Sequence, residues 1–241
     1  MCPSAPGVAA VRRSYPAEKR WEELAGELPS LLLFRPLSFL VTPLFVRAGF
    51  SPAAVTWLSA ALSVAMLAVA WRGGSHAWLG VFLLGFAVQL LDCVDGNVAR
   101  VTQRTSDRGQ LLDLLVGTFY GILLLASLGL LVERAGAGPF AGAGLEIGLG
   151  LALLVCVNRL TRNYAQLHFG WHQLSEERPR GPLSWKARLV IALAGLENLY
   201  IFAIAVGGAL GALDRVLLGI AVYVVGVFLY VERGLFRELR R

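Results

Sequence analysis

Charge is scarce in this chain. Asp, Glu, Lys and Arg make up 16% of its 241 residues, against 56% hydrophobic ones, where an ordinary soluble domain carries about a quarter charged residues. With a mean hydropathy of +0.64, a water-soluble chain folded round one core is excluded, and an integral membrane protein is expected. Lysine is almost missing: two residues stand against twenty arginines. Together with abundant Ala and Gly, that is a compositional mark of a GC-rich genome and says nothing of function. Only three cysteines occur, Cys2, Cys93 and Cys156, without metal-ligand spacing, so they read as packing residues. Histidine is equally sparse. His168 and His172 are four apart, as a metal pair would be, but they flank Trp171 with no third ligand in sequence reach, which disfavours a metal site there. Strand-like alternation is absent, excluding a barrel. Met1 to Leu28 lacks an apolar run, so a cleaved secretory signal is not expected. Neither an internal repeat nor a nucleic-acid module is visible.

Long apolar stretches are what the chain has instead. They fall at about Ala53 to Trp71, Ala77 to Val94, Leu111 to Val132, Leu145 to Val157 with a polar extension, Leu189 to Gly207, and Leu213 to Val231, most of them able to span ~30 Å of hydrocarbon. Gly and Pro punctuate the gaps at 136–144 and 177–184, where helices should stop. The expected fold is an all-α integral membrane protein: six transmembrane helices preceded by a juxtamembrane amphipathic helix. In domain terms, residues 1–34 form a tail and an interfacial segment, and residues 35–241 form one six-helix membrane domain. The bland alternative for the tail, up to about Pro16, is disorder. EKRWEELAGELPSLLLF and RPLSFLVTPLFVRAGF read as amphipathic segments on the inner surface, with Trp21, Phe34 and Phe39 as interfacial anchors.

Nineteen of the 22 Lys and Arg residues fall in alternate inter-span segments, starting with the N-terminal one. The positive-inside rule then puts both termini, and the loop after Arg100, in the cytoplasm. The net charge of +6 is explained by this topology and by anionic headgroups, not by nucleic acid.

One stretch is unlike the rest: LDCVDGNVARVTQRTSDRGQLLDLLVG, residues 91–117, sets four aspartates and three arginines in and beside apolar runs. If the second span stays helical past Leu91, Asp92 and Asp95 share a face with Gly96 and Ala99. A carboxylate in a membrane helix costs about 2.5 to 3.5 kcal/mol at the centre and less near the interface, so clustered aspartates normally face a cavity and a counter-charge. Asp113 lies near the start of the next helix, in line with Gly109 and Gly117 at four-residue spacing. Three oxygen donors from two helices favour a hard divalent ion, Mg²⁺ or Mn²⁺, and through it a diphosphate. Gly96, Ala99 and Gly109 leave room for close approach of a ligand, and Arg100 offers bidentate phosphate geometry. Taken singly, each residue could equally be a packing or snorkelling residue.

DCVDGNVARVTQRTSDRGQLLD is similar to the signature of the CDP-alcohol phosphotransferase family, DxxDGxxAR, eight residues, then GxxxDxxxD. Seven of its eight fixed positions are present in register: Asp92, Asp95, Gly96, Ala99, Arg100, Gly109 and Asp113. Upstream, RPLSFLVTPLFVRAGFSPAAVTWLS resembles the family's amphipathic helix and TPNxVT-type entry to the first span; Ser51, Pro52, Val55 and Thr56 fit, and Ala53 replaces the usual Asn. The resemblance covers about residues 35 to 234. It implies displacement of CMP from a CDP-linked donor, CDP-diacylglycerol above all, by an alcohol, with Asp92, Asp95 and Asp113 as catalytic metal ligands and Gly96, Ala99, Arg100, Gly109 and Thr56 round the nucleotide. In the family the aspartates hold two metal ions, and the last is thought to deprotonate the attacking hydroxyl.

That last position is Gly117 here. Three readings follow: a dead or redirected homologue that binds a CDP-linked lipid, a substitute base, or an acceptor that is already an anion. Asp107 in the linking loop and Glu197, the most deeply placed remaining acid, are candidate bases, though a structural role suits each better. Tyr120 reads as a packing aromatic. In VNRLTRNYAQL, Arg159, Arg162, Asn163 and Gln166 share a helical face; Arg159 and Arg162 suit a phosphorylated or anionic acceptor, and the alternative is snorkelling to headgroups. Arg188 is a weaker candidate. The expected setting is a prokaryotic plasma membrane with the active site on the cytoplasmic side, membrane lipids as neighbours, and a homodimer as a possibility that the family raises.

Overall fold

The computed structural model describes residues 6–136, 138–140, 142–169, 185, 193 and 195–238. Cys2, Trp171, His172, Arg188, the 177–184 gap and most of the first part of the fifth expected span lie outside these residues. The described residues form helices joined by short turns, with no strand among them. Two short helices, α1 (Val8–Arg13) and α2 (Ala17–Gly26), lead to a π-helical turn, Ser30–Phe34, that runs into α3 (Arg35–Arg47). Then come α4 (Pro52–Arg72), α5 (Ala77–Val101), α6 (Asp107–Ala135) and α7 (Gly144–Phe169). A 3₁₀ turn, Leu196–Leu199, opens α8 (Tyr200–Ala209), and α9 (Leu213–Glu238) closes the chain.

Local sequence explains several of these boundaries. Ser51 Oγ accepts from the Ala54 N–H at 3.2 Å with Pro52 at the first helical position, a standard start for α4. Ser106 Oγ does the same for the Gly109 N–H at 3.1 Å, starting α6. Between α5 and α6 the chain reverses through Gln103, whose φ of +55° is a left-handed conformation uncommon outside glycine. Asp107, expected in this loop, is instead the first residue of α6, where its charge complements the helix N-terminus.

The chain is an all-α integral membrane protein. Among the described residues, six helices are long and apolar enough to cross a membrane: Ser30–Arg47, Pro52–Arg72, Ala77–Val101, Asp107–Ala135, Gly144–Ala165 and Leu213–Arg237. The first of these is the segment expected to lie on the surface. Its polar residues Arg35, Ser38 and Thr42 are buried and bonded inside the protein, so the helix does not need water along that face. Within the fifth expected span, the described apolar helix Leu196–Ala209 is shorter.

The chain divides into two compact units. One comprises Met1–Leu62, Phe86–Gly117 and Gln173–Leu199; the other comprises Ser63–Gly85, Thr118–His172 and Tyr200–Arg241. In the first, Val55, Leu91, Val94 and Val98 form a buried cluster joined by Val41, Phe45, Val46, Leu58 and Leu62. That cluster fixes the N-terminal part of α4 and the C-terminal part of α5 against α3. In the second unit, α6 and α7 approach so closely that a Cβ on Gly129, Gly144 or Gly148 would run into backbone of the facing helix. Glu133 Oε2 accepts from the Leu145 N–H at 3.1 Å, satisfying an end group of α7.

Candidate functional site

The helical turn that carries DCVD belongs to α5, and its two carboxylates and Asp113 of α6 take different surroundings. Asp95 is 6% exposed, and Thr56 Oγ1 donates to its Oδ2 at 2.8 Å. This bond ties the entry of α4 to the motif helix. Asp92 and Asp113 are exposed and lie in hydrogen-bonding contact with each other, although they come from α5 and α6. Two acids meeting open-faced in this way need a shared proton or a cation between them. Their atoms are all hard oxygen donors, which suits Mg²⁺ or Mn²⁺. Among the described residues, no group of three or more His, Cys, Asp and Glu side chains could hold a metal ion by itself. Mg²⁺ commonly binds through only one or two carboxylates plus substrate phosphates, so the Asp92 and Asp113 pair fits an ion that a phosphate-bearing ligand completes.

Gly96 faces Arg100. An added Cβ there would stand 3.3 Å from Nη1 of that arginine, so the glycine makes room for the guanidinium. Gly109 has a narrower role, since a Cβ would press on Ser106 Oγ at 3.2 Å, the capping atom of α6. Ala99 is half-buried one turn from Asp95. At Gly117 nothing among the described residues lies within 4 Å of an added Cβ: the position where the signature has its fourth aspartate is open among them.

The structure thus brings Asp92, Asp95, Asp113, Thr56, Gly96, Ala99, Arg100 and Gly109 into one unit. Arg159 and Arg162 belong to the other unit, both half-buried on α7. Arg159 Nη1 donates to Thr118 Oγ1, a local anchor within that unit. Asn163 is exposed. Glu197, expected to be the most deeply placed acid, is exposed in the 3₁₀ turn.

Several residues that the sequence did not single out stand on the same unit. Glu23 is 1% exposed and Arg35 6%; they form a buried ion pair, Arg35 Nε donating to Glu23 Oε2 at 3.0 Å and Nη2 to Oε1. The Tyr15 hydroxyl donates to Glu23 Oε2 at 2.7 Å, and this bond, after burial, helps push the phenol's pKa up. Arg35 Nη1 reaches the Cys93 carbonyl at 3.1 Å and Asn97 Oδ1 at 3.2 Å. Asn97, fully buried, gives its amide protons to Ser38 Oγ at 2.9 Å and Thr42 Oγ1 at 3.2 Å. Glu27 is exposed as a residue, but its carboxyl is partly desolvated by the surrounding protein. That desolvation pushes its carboxyl up to about 7, with Lys19 opposing and Asp92, Glu23 and Glu197 adding to the rise. Periodicity and motif spacing carry no signal for these contacts, because they join residues 8 to 62 positions apart.

A family model described as CDP-alcohol phosphatidyltransferase matches residues 50–227. No curated protein matches the chain.

Proposed function

The chain belongs to the CDP-alcohol phosphatidyltransferase family, and from that premise we propose that it transfers a phosphatidyl group from CDP-diacylglycerol to an anionic or phosphorylated acceptor at the cytoplasmic face of a prokaryotic plasma membrane. The family implies phosphotransfer from a CDP-alcohol to an acceptor in lipid synthesis. The contact between Asp92 and Asp113 carries the finer reading, since two open carboxylates from separate helices suit a divalent ion on a diphosphate.

In this reading an acceptor oxygen bonds to the β-phosphorus of the donor. The bond from that phosphorus to the oxygen bridging the two phosphates breaks, and CMP departs with the electron pair. Asp92 and Asp113, with Asp95 held by Thr56, would bind Mg²⁺ or Mn²⁺. When bound, the ion supplies Lewis-acid polarisation and neutralises charge growing on CMP. Arg100 holds a donor phosphate through charge-assisted hydrogen bonds, and Gly96 keeps space for it. Arg159 and Arg162 belong to the other unit, and they are the residues the sequence offers for an acceptor's anionic group. Gly117 has no side chain to take a proton; an acceptor attacking through an ionised phosphate or carboxylate oxygen needs no base and forms a diphosphate or mixed anhydride as CMP leaves. General-base help is typically worth 10² to 10⁴ in rate, so an alcohol acceptor would be slow.

The open space at Gly117 also supports a second reading, a homologue that binds the CDP-linked lipid without turnover. CMP release separates them. With Mg²⁺, CDP-diacylglycerol and a pool of glycerol phosphate, inositol phosphate, inositol and serine, Asp92→Asn or Asp113→Asn should bring CMP formation below about one hundredth of wild type. Unchanged turnover in either variant would remove the metal reading.

A further inference from the structure

Arg100 is held by something other than the signature. Its Nη2 donates to Asn97 Oδ1 at 2.7 Å, the same oxygen that receives Arg35 Nη1 at 3.2 Å. The two guanidinium carbons stand over one tyrosine ring, Arg35 at 5.1 Å and Arg100 at 5.9 Å from the Tyr15 centroid. Two cations sharing one amide oxygen and one aromatic face repel each other unless one is neutralised. Glu23 does this, clamping Arg35 from the opposite side. Asn97 cannot turn its amide round, because both its protons are engaged by Ser38 and Thr42. The result leaves Arg100 Nε buried with no hydrogen-bond partner among the described residues, a donor that costs free energy until an acceptor arrives.

We propose that Tyr15, Glu23, Arg35 and Asn97 are positioning residues that aim the Arg100 guanidinium at a phosphate oxygen of the bound nucleotide. Tyr15, Glu23 and Arg35 precede residue 50, so a segment outside the family match completes the phosphate site. The inference rests on the reading of the site as one for a CDP-linked donor and adds what fixes its arginine. Removing the Glu23 charge frees Arg35 to repel Arg100. Changing Asn97 to a carboxylate draws Arg100 into an ion pair that competes with phosphate.

Binding of CDP and of cytidine to the full-length protein in detergent with Mg²⁺ tests this. Cytidine lacks the phosphates, so a general loosening of the fold lowers both affinities, whereas a misaimed arginine lowers only that for CDP. Glu23→Gln and Asn97→Asp are each expected to weaken CDP by about tenfold, the scale of one charge-assisted hydrogen bond, with cytidine within about twofold. Tyr15→Phe keeps the ring, loses only the hydroxyl bond to Glu23 and should weaken CDP by about threefold. It carries the test if the buried variants do not fold. CDP bound at wild-type strength in these variants but lost in Arg100→Ala overturns the inference alone, as does a parallel fall for CDP and cytidine. Wild-type protein that does not bind CDP overturns the reading of the site and the inference with it.

Discussion

Glu27 carries a carboxyl that titrates near pH 7 in the folded protein, against an ordinary value of 4.5. The sign of its effect follows from proton counts. Between these two values the folded chain holds a proton that the unfolded chain has lost, so stability from this group is complete below pH 4.5, falls through the window and is gone above 7. Glu27→Gln cannot ionise. Its thermal midpoint should match that of wild type at pH 4.5 and exceed it at pH 8, with a chelator present so that no cation offsets Asp92. An equal difference at both pH values would contradict the raised carboxyl of Glu27. At the same scale, the candidate site was legible in the sequence only where a fixed spacing encodes it. Asp92, Asp95 and Asp113 stood out because carboxylates are costly in an apolar run, and Thr56, Gly96, Ala99, Arg100 and Gly109 came with them. Tyr15, Glu23, Arg35 and Asn97 did not, because a buried ion pair between a polar tail and an apolar segment has no period. Asn97 even occupies a variable position of the signature.

Among the elements, hydropathy marked α4, α5, α6, α7 and α9 within a few residues at most ends, since each is a long apolar run between turn residues. Ser30–Arg47 it marked as amphipathic, and in the structure that helix is also long and apolar enough to cross a membrane. Arg35, Ser38 and Thr42 along one side make that segment look amphipathic, and only the partners Glu23 and Asn97 reveal that its polar face is satisfied within the protein. A buried polar face costs little once its groups are paired, which is information held by other helices. The α6 and α7 pair shows the opposite limit, where glycines decide the spacing. Gly129→Ala puts a methyl group against the backbone at Gly144, and unlike a side-chain tip this obstacle cannot rotate away. Overpacking of this kind typically costs about 1 to 3 kcal/mol, so the variant should unfold at a lower temperature in detergent. Gly121→Ala on the same helix, with nothing within 4 Å of an added Cβ, is the control and should leave the midpoint unchanged.

At the scale of the whole molecule, low charge, apolar helices and the uneven placement of arginine were enough to read an all-α membrane protein, and the signature was enough to indicate its family. Set against the signature that residues 92–113 resemble, the place of its last carboxylate falls on Gly117. The helix at Gly117 is intact and the space beside it is free, so the site can be compared with and without a fourth acid in the same fold. The most direct measurement is CMP release from CDP-diacylglycerol with Mg²⁺ by wild type, Asp92→Asn and Gly117→Asp, using phosphorylated and unphosphorylated acceptors side by side. Wild-type turnover above the Asp92→Asn background, confined to phosphorylated or otherwise anionic acceptors, is the expected result. A silent wild type beside an active Gly117→Asp would contradict it and mark the chain as a homologue that has given up transfer.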